Sequence, residues 1–464
     1  MFENHTRWEL LKAIKKCFVV VYVMKLKEFY KKNKLEEGML VEFSSKGSSV
    51  AGTIIPSLNE NLMVKMNTGY NAGFDITKIK DVKSRGKAKG VGKAKKKAFA
   101  KNSKLPTISI LHTGGTIASR VDYKSGAVYS SFDIGDMLTM FPELTKMANF
   151  DSAHIGNMWT DDFRFEHFSL IAKEVEKAYK KGSAGVIISM GTDNMAVASA
   201  ALSFVLEKCP LPIILVGAQR SSDRGSSDAA MNLICAANFI TQSDFAGVAI
   251  CMHDSTNDIN CAILPACKTR KLHTSRRDAF KAVNDTPIAL VNYQNGEIKF
   301  LKKDYAKKSE EKVVLKDKFE NKVALMKISI NMFPEQFEFY TEKKFKGLVI
   351  EGTGLGHTPG HCPDKISEAN KKIFPAIKKF VDSGGVAVMT STCLFGRVHM
   401  HIYNKGTDLT TLGVIPGEDM LPETAFVKLS WLLGNYSKKE ASELLPKNLR
   451  GEISEFSNVE TYEE

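Results

Sequence analysis

The chain has 464 residues, of which 43% are hydrophobic and 25% are charged. This length is about three times the ~150 residues of a typical domain, so two or three domains with buried cores are expected. The composition excludes a chain that is disordered, collagen-like or membrane-embedded as a whole. The longest apolar run, residues 18–24, is much shorter than the ~20 residues of a membrane-spanning helix. No small-residue cleavage site follows it, which predicts a cytoplasmic protein with no membrane partner.

The eight cysteines and ten histidines are scattered along the chain. No cysteine pair has the spacing of a zinc knuckle, and no HExxH motif occurs. The pattern predicts reduced, mostly buried thiols and no metal site.

Most of the net charge of +13 comes from one segment, since residues 83–104 contain ten Lys or Arg and no acidic residue. A tract of Gly, Ala and Lys cannot bury apolar surface, so a flexible linker is predicted, with or without contacts to phosphates. It is not a P-loop, because Gly86 and Gly92 are separated by five residues and Ala94 replaces the required hydroxyl.

The linker separates a small N-terminal part from a larger one. Residues 1–36 have a helical pattern, and Met24 is a second plausible start, so the first 23 residues are interpreted as an extension. Residues 37–82 contain short alternating strands, such as 39–43 and 62–66, punctuated by Asn and Gly turns. These features predict a small SH3-like β-barrel.

After the linker, apolar strands alternate with amphipathic helices. The predicted strands are 107–111, 185–189, 213–216, 248–252 and 290–293. Phe168, Ile171 and Val175 mark the buried face of one helix, and Met231, Ile234 and Asn238 that of another. The fold class expected for residues 105–300 is therefore α/β, a doubly wound and mostly parallel sheet with active residues beyond the carboxyl ends of its strands.

A smaller C-terminal α/β domain is predicted for residues 325–464, with buried strands at 346–351 and 386–390. A helix is expected from about Ile366 to Asp382, with a kink at Pro375.

Three of the predicted strands are followed by polar residues. Thr116 follows the double glycine of a strand-to-loop turn, Thr192 and Asp193 follow the strand 185–189, and Lys271 lies in a polar segment after the strand 248–252. Each cluster also has a purely structural interpretation: a tight turn, a helix N-cap and a surface lysine, respectively. Together they provide what amide hydrolysis needs, a hydroxyl nucleophile and groups that activate it.

Four ordered motifs resemble the L-asparaginase family of amidohydrolases: TGGTI at 113–117, MGTD at 190–193, VGAQRSSDRGSSDAAMN at 216–232 and RKLHTSRRDAFKAVN at 270–284. Three further segments, GYNAGF at 69–74, EGTGLGHTP at 351–359 and VIPGEDMLPETAFVKL at 414–429, are similar to the family of archaeal D subunits of Glu-tRNA(Gln) amidotransferase. That family adds an SH3-like domain before an asparaginase-like part. The resemblance covers residues 24–440 in order.

The resemblance implies a role for each matching position. Thr116 corresponds to the nucleophile and Tyr123 to the tyrosine of the flap that closes over it. Thr192 and Lys271 correspond to the pair that passes protons to and from the attacking water. Asp193 corresponds to the aspartate that holds the lysine and contacts the α-amino group of the substrate.

Two positions depart from the family pattern. The loop that holds the substrate carboxylate in relatives matches their sequence pattern less well here. Asn157 is expected to be its substrate-binding residue. Asn194 stands where relatives commonly have threonine, past the expected chemistry.

The resemblance implies a glutaminase subunit that passes ammonia to an E subunit, which uses ATP and Mg to amidate Glu-tRNA(Gln). It implies a heterotetramer of two D and two E subunits, with no cofactor in this chain. A neighbouring copy completes the site in the resembled family, and the glycine-rich loop at 352–357 is either that contact or a plain turn. Two alternatives remain: a stand-alone asparaginase or glutaminase, and a non-catalytic RNA-binding protein.

Overall fold

The computed structural model describes residues 25–57, 61–66, 71–87, 101–115, 119–121, 128–130, 137–138, 141–220 and 227–462. The structure forms two compact units. The first unit contains the N-terminal sheet, and the second contains an eight-stranded sheet and a four-stranded sheet with their helices. The predicted extension before Met24 lies outside the described residues.

The N-terminal sheet is antiparallel, with five strands in the order β4-β3-β2-β1-β5. Residues 25–33 are helical and precede it. Alternate side chains of its strands point inward, so that Val41, Phe43, Leu62 and Val64 form its core. The strands are β1 (Met39–Ser45), β2 (Ser48–Ile54), β3 (Asn61–Met66), β4 (Asn71–Asp75) and β5 (Ile79–Lys87).

The boundaries of the basic linker differ from the prediction of 83–104. Strand β5 continues to Lys87 and pairs with β1, and its side chains are mostly exposed. At the other end, the backbone amide of Asn102 donates to Asn149 Oδ1 over 2.8 Å. An exposed edge strand rich in lysine has the same composition as a solvated linker. The sequence pattern therefore did not distinguish β5 from the linker. Residues 88–100 lie outside the described residues.

An eight-stranded sheet forms the centre of the second unit, in the order β18-β17-β14-β13-β12-β10-β6-β9. Its strands from β9 to β13 are parallel, and β14, β17 and β18 add to it antiparallel. Strands β10 and β12 are buried at every residue, which explains their continuous apolar sequences.

The strands of this part of the chain are β6 (Thr107–His112), β7 (Ser119–Val121), β8 (Val128–Ser130), β9 (Asn149–His154), β10 (Gly185–Ser189), β11 (Leu206–Lys208), β12 (Pro212–Val216), β13 (Gly247–His253), β14 (Asn260–Pro265), β15 (Thr269–Lys271), β16 (Phe280–Ala282), β17 (Ala289–Asn292), β18 (Ile298–Phe300) and β19 (Val314–Leu315). Strands β7 and β8, β11 and β19, and β15 and β16 form two-stranded antiparallel pairs. All five strands predicted for this region are confirmed to within two residues.

Three helices accompany the eight-stranded sheet: α1 (Phe165–Lys180), α2 (Met195–Val205) and α3 (Ala229–Gln242). Phe168, Ile171 and Val175 are buried on α1, as their helical spacing predicts. Short 3-10 turns at Pro142–Lys146 and Thr160–Asp162 precede α1.

The C-terminal part is a parallel sheet in the order β20-β21-β22-β23. Its strands are β20 (Val323–Lys327), β21 (Gly347–Gly352), β22 (Val386–Ser391) and β23 (Val414–Pro416). Its helices are α4 (Glu335–Glu342), α5 (Ile373–Asp382), α6 (Asn404–Thr411), α7 (Pro422–Asn435) and α8 (Lys438–Leu444). The predicted α/β class is confirmed in both sheets.

The helix expected at 366–382 begins later. A 3-10 turn occupies Glu368–Lys372, and α5 starts at Ile373. Pro375 therefore lies in the first turn of α5, where backbone amides have no partner within the helix, so its missing N–H breaks no hydrogen bond. The predicted kink is wrong for this reason.

The eight-stranded sheet and the C-terminal sheet share one hydrophobic core. Helices α2 and α7 pack together there, with the rings of Phe204 and Trp431 5.4 Å apart. Two buried ion pairs lie in the same part of the molecule: Lys268 with Asp419 and Lys428 with Glu452, each at 2.5 Å. Burying such charges is costly unless each is paired. Lys268 precedes β15 and Asp419 follows β23, so this pair links the two parts of the second unit.

Candidate active site

Lys271, Thr192 and Asp193 converge at one point. The Nζ of Lys271 donates a hydrogen bond of 2.9 Å to Thr192 Oγ1 and lies 2.7 Å from Asp193 Oδ1. The Lys271 side chain is only 12% exposed, whereas that of Asp193 is 61% exposed. The arrangement places a cation between a hydroxyl and a carboxylate that faces solvent.

The elements that carry these residues explain the convergence. Thr192 and Asp193 follow the carboxyl end of β10, and Lys271 ends β15, the first strand of a two-stranded pair. Asn194 is the N-cap of α2, and its side chain makes no capping hydrogen bond. The capping alternative for Thr192 and Asp193 is therefore not the arrangement observed.

Gly217, directly after β12, packs closely against the Thr192 side chain. A Cβ atom at Gly217 would lie 2.6 Å from Thr192 Cγ2 and 3.3 Å from the carbonyl oxygen of Met190. Glycine is thus required for the close packing that holds the Thr192 side chain in place.

The double glycine after β6 brings its turn next to the loop that carries Thr192. Gly114 and Gly115 have φ angles of +123° and +90°. A Cβ at Gly115 would lie 2.3 Å from the backbone nitrogen of Gly191, and one at Gly114 would lie 2.5 Å from the Met158 carbonyl oxygen. Both contacts require glycine. Thr116 and Tyr123 lie outside the described residues, so their side chains are not located.

Asn157 is exposed and lies beside the double-glycine turn. Its carbonyl carbon is 3.3 Å from the position of a Cβ on Gly114, and the next amide, of Met158, donates to the Thr113 carbonyl over 2.9 Å. The backbone amide of Asn194 donates to Thr160 Oγ1 over 3.2 Å. The loop that follows Asn157 is thereby tied to the start of α2.

Asn194 directs its side chain away from the cluster. Its Nδ2 donates to Asp161 Oδ1 over 3.0 Å. The side chain therefore takes part in loop packing, as expected for a position past the chemistry.

His112 is a buried residue of this region that the sequence pattern did not single out. Its Nδ1 shares a hydrogen bond of 2.7 Å with Ser189 Oγ, and its ring stacks on His154 at 5.8 Å. Burial, and secondarily the nearby His154, lowers the pKa of His112 to about 4. A neutral imidazole thus ties together the carboxyl ends of β6 and β10. A histidine at the end of an apolar strand was the only available signal.

A second polar group that sequence reasoning missed supports the turn after β12. Both carboxylate oxygens of the buried Asp228 accept from the backbone amide of Gln219, at 3.1 and 3.0 Å. Asn232 donates to the Gly217 carbonyl over 3.0 Å, and its Oδ1 lies 2.7 Å from His253 Nδ1. Burial lowers the pKa of His253. Asp228 and Asn232 are four residues apart on one helix face, which was the signal available.

The described ranges also bear on metal binding, disulfide formation and membrane spanning. These residues contain no group of three or more His, Cys, Asp or Glu side chains arranged to hold a metal ion. The seven cysteines in the described part of the chain are free thiols. No helix among these residues is both long and apolar enough to cross a bilayer.

Comparison with known families places each part of the chain. Residues 107–306 match the family "Asparaginase, N-terminal", and residues 322–445 match "Glutaminase/Asparaginase C-terminal domain". Residues 35–84 match the family described as "GatD N-terminal domain".

Relatives and solved structures agree with these matches. The chain is 44% identical to the D subunit of the glutamyl-tRNA(Gln) amidotransferase of Pyrococcus furiosus, over 92% of this chain and 95% of that relative. It is 43% identical to the protein of the same name from Methanococcus maripaludis, over 92% and 100% of the two chains. The fold resembles the thermostable L-asparaginase of Thermococcus kodakarensis with a TM-score of 0.66 and 25% identity, over 75% of this chain and 99% of that one.

A cytoplasmic L-asparaginase from Campylobacter jejuni, described as probable, gives a TM-score of 0.60 at 25% identity, over 74% of this chain and all of that one. The asparaginase-like fold and the family expected from the motifs are both confirmed. The chain belongs to the family of glutamyl-tRNA(Gln) amidotransferase D subunits, built on an asparaginase-type amidohydrolase fold.

Proposed function

We propose that this protein hydrolyses glutamine and supplies the ammonia to a Glu-tRNA(Gln) amidotransferase. The observation that carries the proposal is the contact of Lys271 with both Thr192 and Asp193 in a chain that matches D subunits over 92% of its length. A hydroxyl, a lysine and a carboxylate in contact are suited to the proton transfers of amide hydrolysis.

In the proposed reaction, Thr116 is the nucleophile. Its Oγ attacks the carboxamide carbon of glutamine and loses its proton. The C–N bond then breaks, the nitrogen takes up a proton, and ammonia leaves a γ-glutamyl ester on Thr116. Water next attacks the ester, which releases glutamate and returns the proton to Thr116.

Thr192 and Lys271 move these protons. Because Lys271 Nζ donates to Thr192 Oγ1, the hydroxyl hydrogen of Thr192 is available to another acceptor. The carboxylate of Asp193, 2.7 Å from Lys271, orients the lysine. Its exposed face offers an anion to the α-ammonium group of the substrate.

Two further residues complete the proposed site. Tyr123 is assigned the role of the family's flap tyrosine, and Asn157, which is exposed, is assigned to the substrate carboxylate. The position of the Asn157 backbone against Gly114 supports its assignment.

The ammonia is used by a partner E subunit in the proposed assembly of two D and two E subunits. That partner binds ATP and Mg and converts Glu-tRNA(Gln) to Gln-tRNA(Gln). This chain is proposed to need no cofactor of its own. Support comes from the names of the relatives and from the N-terminal match at 35–84, which lies outside the asparaginase domains.

The deciding experiment measures ammonia release from glutamine and from asparagine by the co-purified complex. We expect glutamine to be hydrolysed faster, and the rate to depend on Glu-tRNA(Gln). Equal rates with and without the tRNA and the partner would favour the stand-alone asparaginase or glutaminase. Salt-sensitive RNA binding without turnover would favour the RNA-binding alternative.

A further inference from the structure

The turn after β12 consists of Gly217, Ala218 and Gln219 and follows a strand that is buried throughout. Strand β12 is the parallel neighbour of β10, whose carboxyl end leads to Thr192. Ligands of parallel sheets bind beyond the carboxyl ends of the strands. The turn therefore lies on the side of the sheet where substrate is expected.

The Gly217 end of this turn reaches the cluster itself. The space for a Cβ on Gly217 is taken up by the Thr192 methyl group, 2.6 Å away. Thr192 Oγ1 in turn accepts a hydrogen bond from Lys271 Nζ. Gln219 is two residues further along the same turn, so its Cα lies within about 7 Å of that of Gly217.

The backbone of the turn is fixed by buried polar groups. Asp228 accepts the Gln219 amide with both oxygens, and Asn232 donates to the Gly217 carbonyl and to Asp228 Oδ2, the latter over 3.2 Å. The exposed fraction of both Asp228 and Asn232 is 0%. A backbone held this firmly gives the Gln219 side chain a defined starting point.

The side-chain amide of Gln219 is a donor that the protein does not use. Its Nε2 is buried and has no hydrogen-bond partner among the described residues. Buried donors are nearly always paired, because an unpaired one loses its bonds to water without replacement. An unpaired donor beside a reaction site indicates that its acceptor arrives with the substrate.

We propose that Gln219 donates its side-chain amide to an oxygen of bound glutamine and thereby determines substrate recognition. The inference rests on the proposed glutaminase function. Glutamine offers two oxygen acceptors, the carbonyl of its carboxamide and its α-carboxylate. Both match an N–H donor, and kinetics distinguish them.

The test is the Gln219→Met variant of the full chain, assayed with glutamine. Methionine has a similar volume and no donor. We expect kcat/KM to fall by about tenfold or more, since a hydrogen bond to a polar or charged acceptor is lost. A fall in kcat would indicate the reacting carbonyl, whose oxygen gains charge in the transition state, and a rise in KM alone would indicate the carboxylate.

Two additional readouts separate recognition from a structural role. The melting temperature of ligand-free Gln219→Met should equal or exceed that of the wild type, because an unpaired buried donor has been removed. Gln219→Glu should be less active than Gln219→Met, since a carboxylate repels the substrate oxygen. Gln242→Met is the matched control, because Gln242 ends α3 and donates to Asn238 instead. It should keep the wild-type kcat and KM.

Wild-type kcat and KM in Gln219→Met would overturn the inference and leave the glutaminase function intact. A melting temperature that falls together with activity would overturn it as well, because Gln219 would then be structural. Failure of the proposed function has a different signature, the absence of glutamine hydrolysis by the wild-type protein.

Discussion

At the scale of single residues, the account depends on the position of Lys271 between Thr192 and Asp193. The lysine is nearly buried, yet its ammonium contacts a hydroxyl and an exposed carboxylate rather than a second buried ion. The buried lysines Lys268 and Lys428 each have a dedicated acidic partner, which is the structural use of a buried charge. This contrast marks Lys271 as a residue held for chemistry.

Replacing Lys271 by methionine removes the proposed proton-transfer group and keeps the apolar part of the side chain. We expect kcat for glutamine to fall by about 100-fold or more, within the range typical of the loss of a general acid or base. The melting temperature should change little. Lys299→Met, on the outer strand β18, is the control and should retain full activity. Near-normal turnover by Lys271→Met would refute the assigned role.

His112, on the eight-stranded sheet, makes the folding stability of the protein depend on pH. Its folded pKa of about 4 lies below the unfolded value of 6.5, so the unfolded chain takes up a proton first as the pH falls. The contribution of neutral His112 to the free energy of unfolding is fully present above pH 6.5. It is lost between pH 6.5 and 4, by up to about 3 kcal/mol. Burial of His253 acts in the same direction.

The measurement is the urea unfolding midpoint of wild type and His112→Asn at pH 7 and pH 5. Asparagine keeps a hydrogen-bonding group beside Ser189 but does not titrate. The variant should therefore lose less stability than wild type between the two pH values. An equal loss in both proteins would show that His112 does not cause the pH dependence.

At the scale of elements, the loops that carry the site are positioned by close backbone contacts at glycine. In Gly217→Ala the new methyl would displace Thr192, so we expect kcat to fall by about tenfold or more while the sheet remains folded. Gly384→Ala is the control: its φ of +100° is strained for alanine, but the space around its Cβ is open. That variant should lose about 1 kcal/mol of stability and no activity. Full activity in Gly217→Ala would show that close packing against Gly217 is not needed to position Thr192.

The strands of the catalytic sheet could be predicted because each is a run of buried apolar residues flanked by polar ones. Boundaries in the basic segment could not, because an exposed edge strand such as β5 and a solvated linker have the same lysine-rich composition. The start of α5 was missed for a related reason, since Glu368–Lys372 continue its helical pattern as a 3-10 turn. Local composition does not show which distant segment a strand or turn will pair with.

The candidate site was predictable only in part. Thr192, Asp193 and Lys271 were identified by strand-end positions and family motifs, and the structure brings these three together. His112, Asp228 and Asn232 were not, because their role depends on contacts with residues up to 77 positions away. Such pairings are set by the topology of the sheet.

At the scale of the whole molecule, a buried ion pair lies where the eight-stranded sheet and the C-terminal sheet meet. Lys268→Met leaves the Asp419 carboxylate buried without its cation, and we expect a loss of about 3–5 kcal/mol. The double variant Lys268→Met with Asp419→Leu removes both charges and should recover much of that loss. Thermal unfolding of the wild type and the three variants, including Asp419→Leu alone, measures the effect. A double variant as unstable as the worse single one would show that the pair is net stabilising.

The proposed reaction passes through a covalent ester between glutamine and Thr116, with Thr192 and Lys271 moving the protons. Rapid acid quenching of the working complex with glutamine, followed by peptide mass mapping, detects this ester directly. We expect a γ-glutamyl adduct on Thr116 in the wild type that is absent in Thr116→Val. Ammonia release with an adduct at another residue, or undiminished release by Thr116→Val, would contradict the proposed reaction.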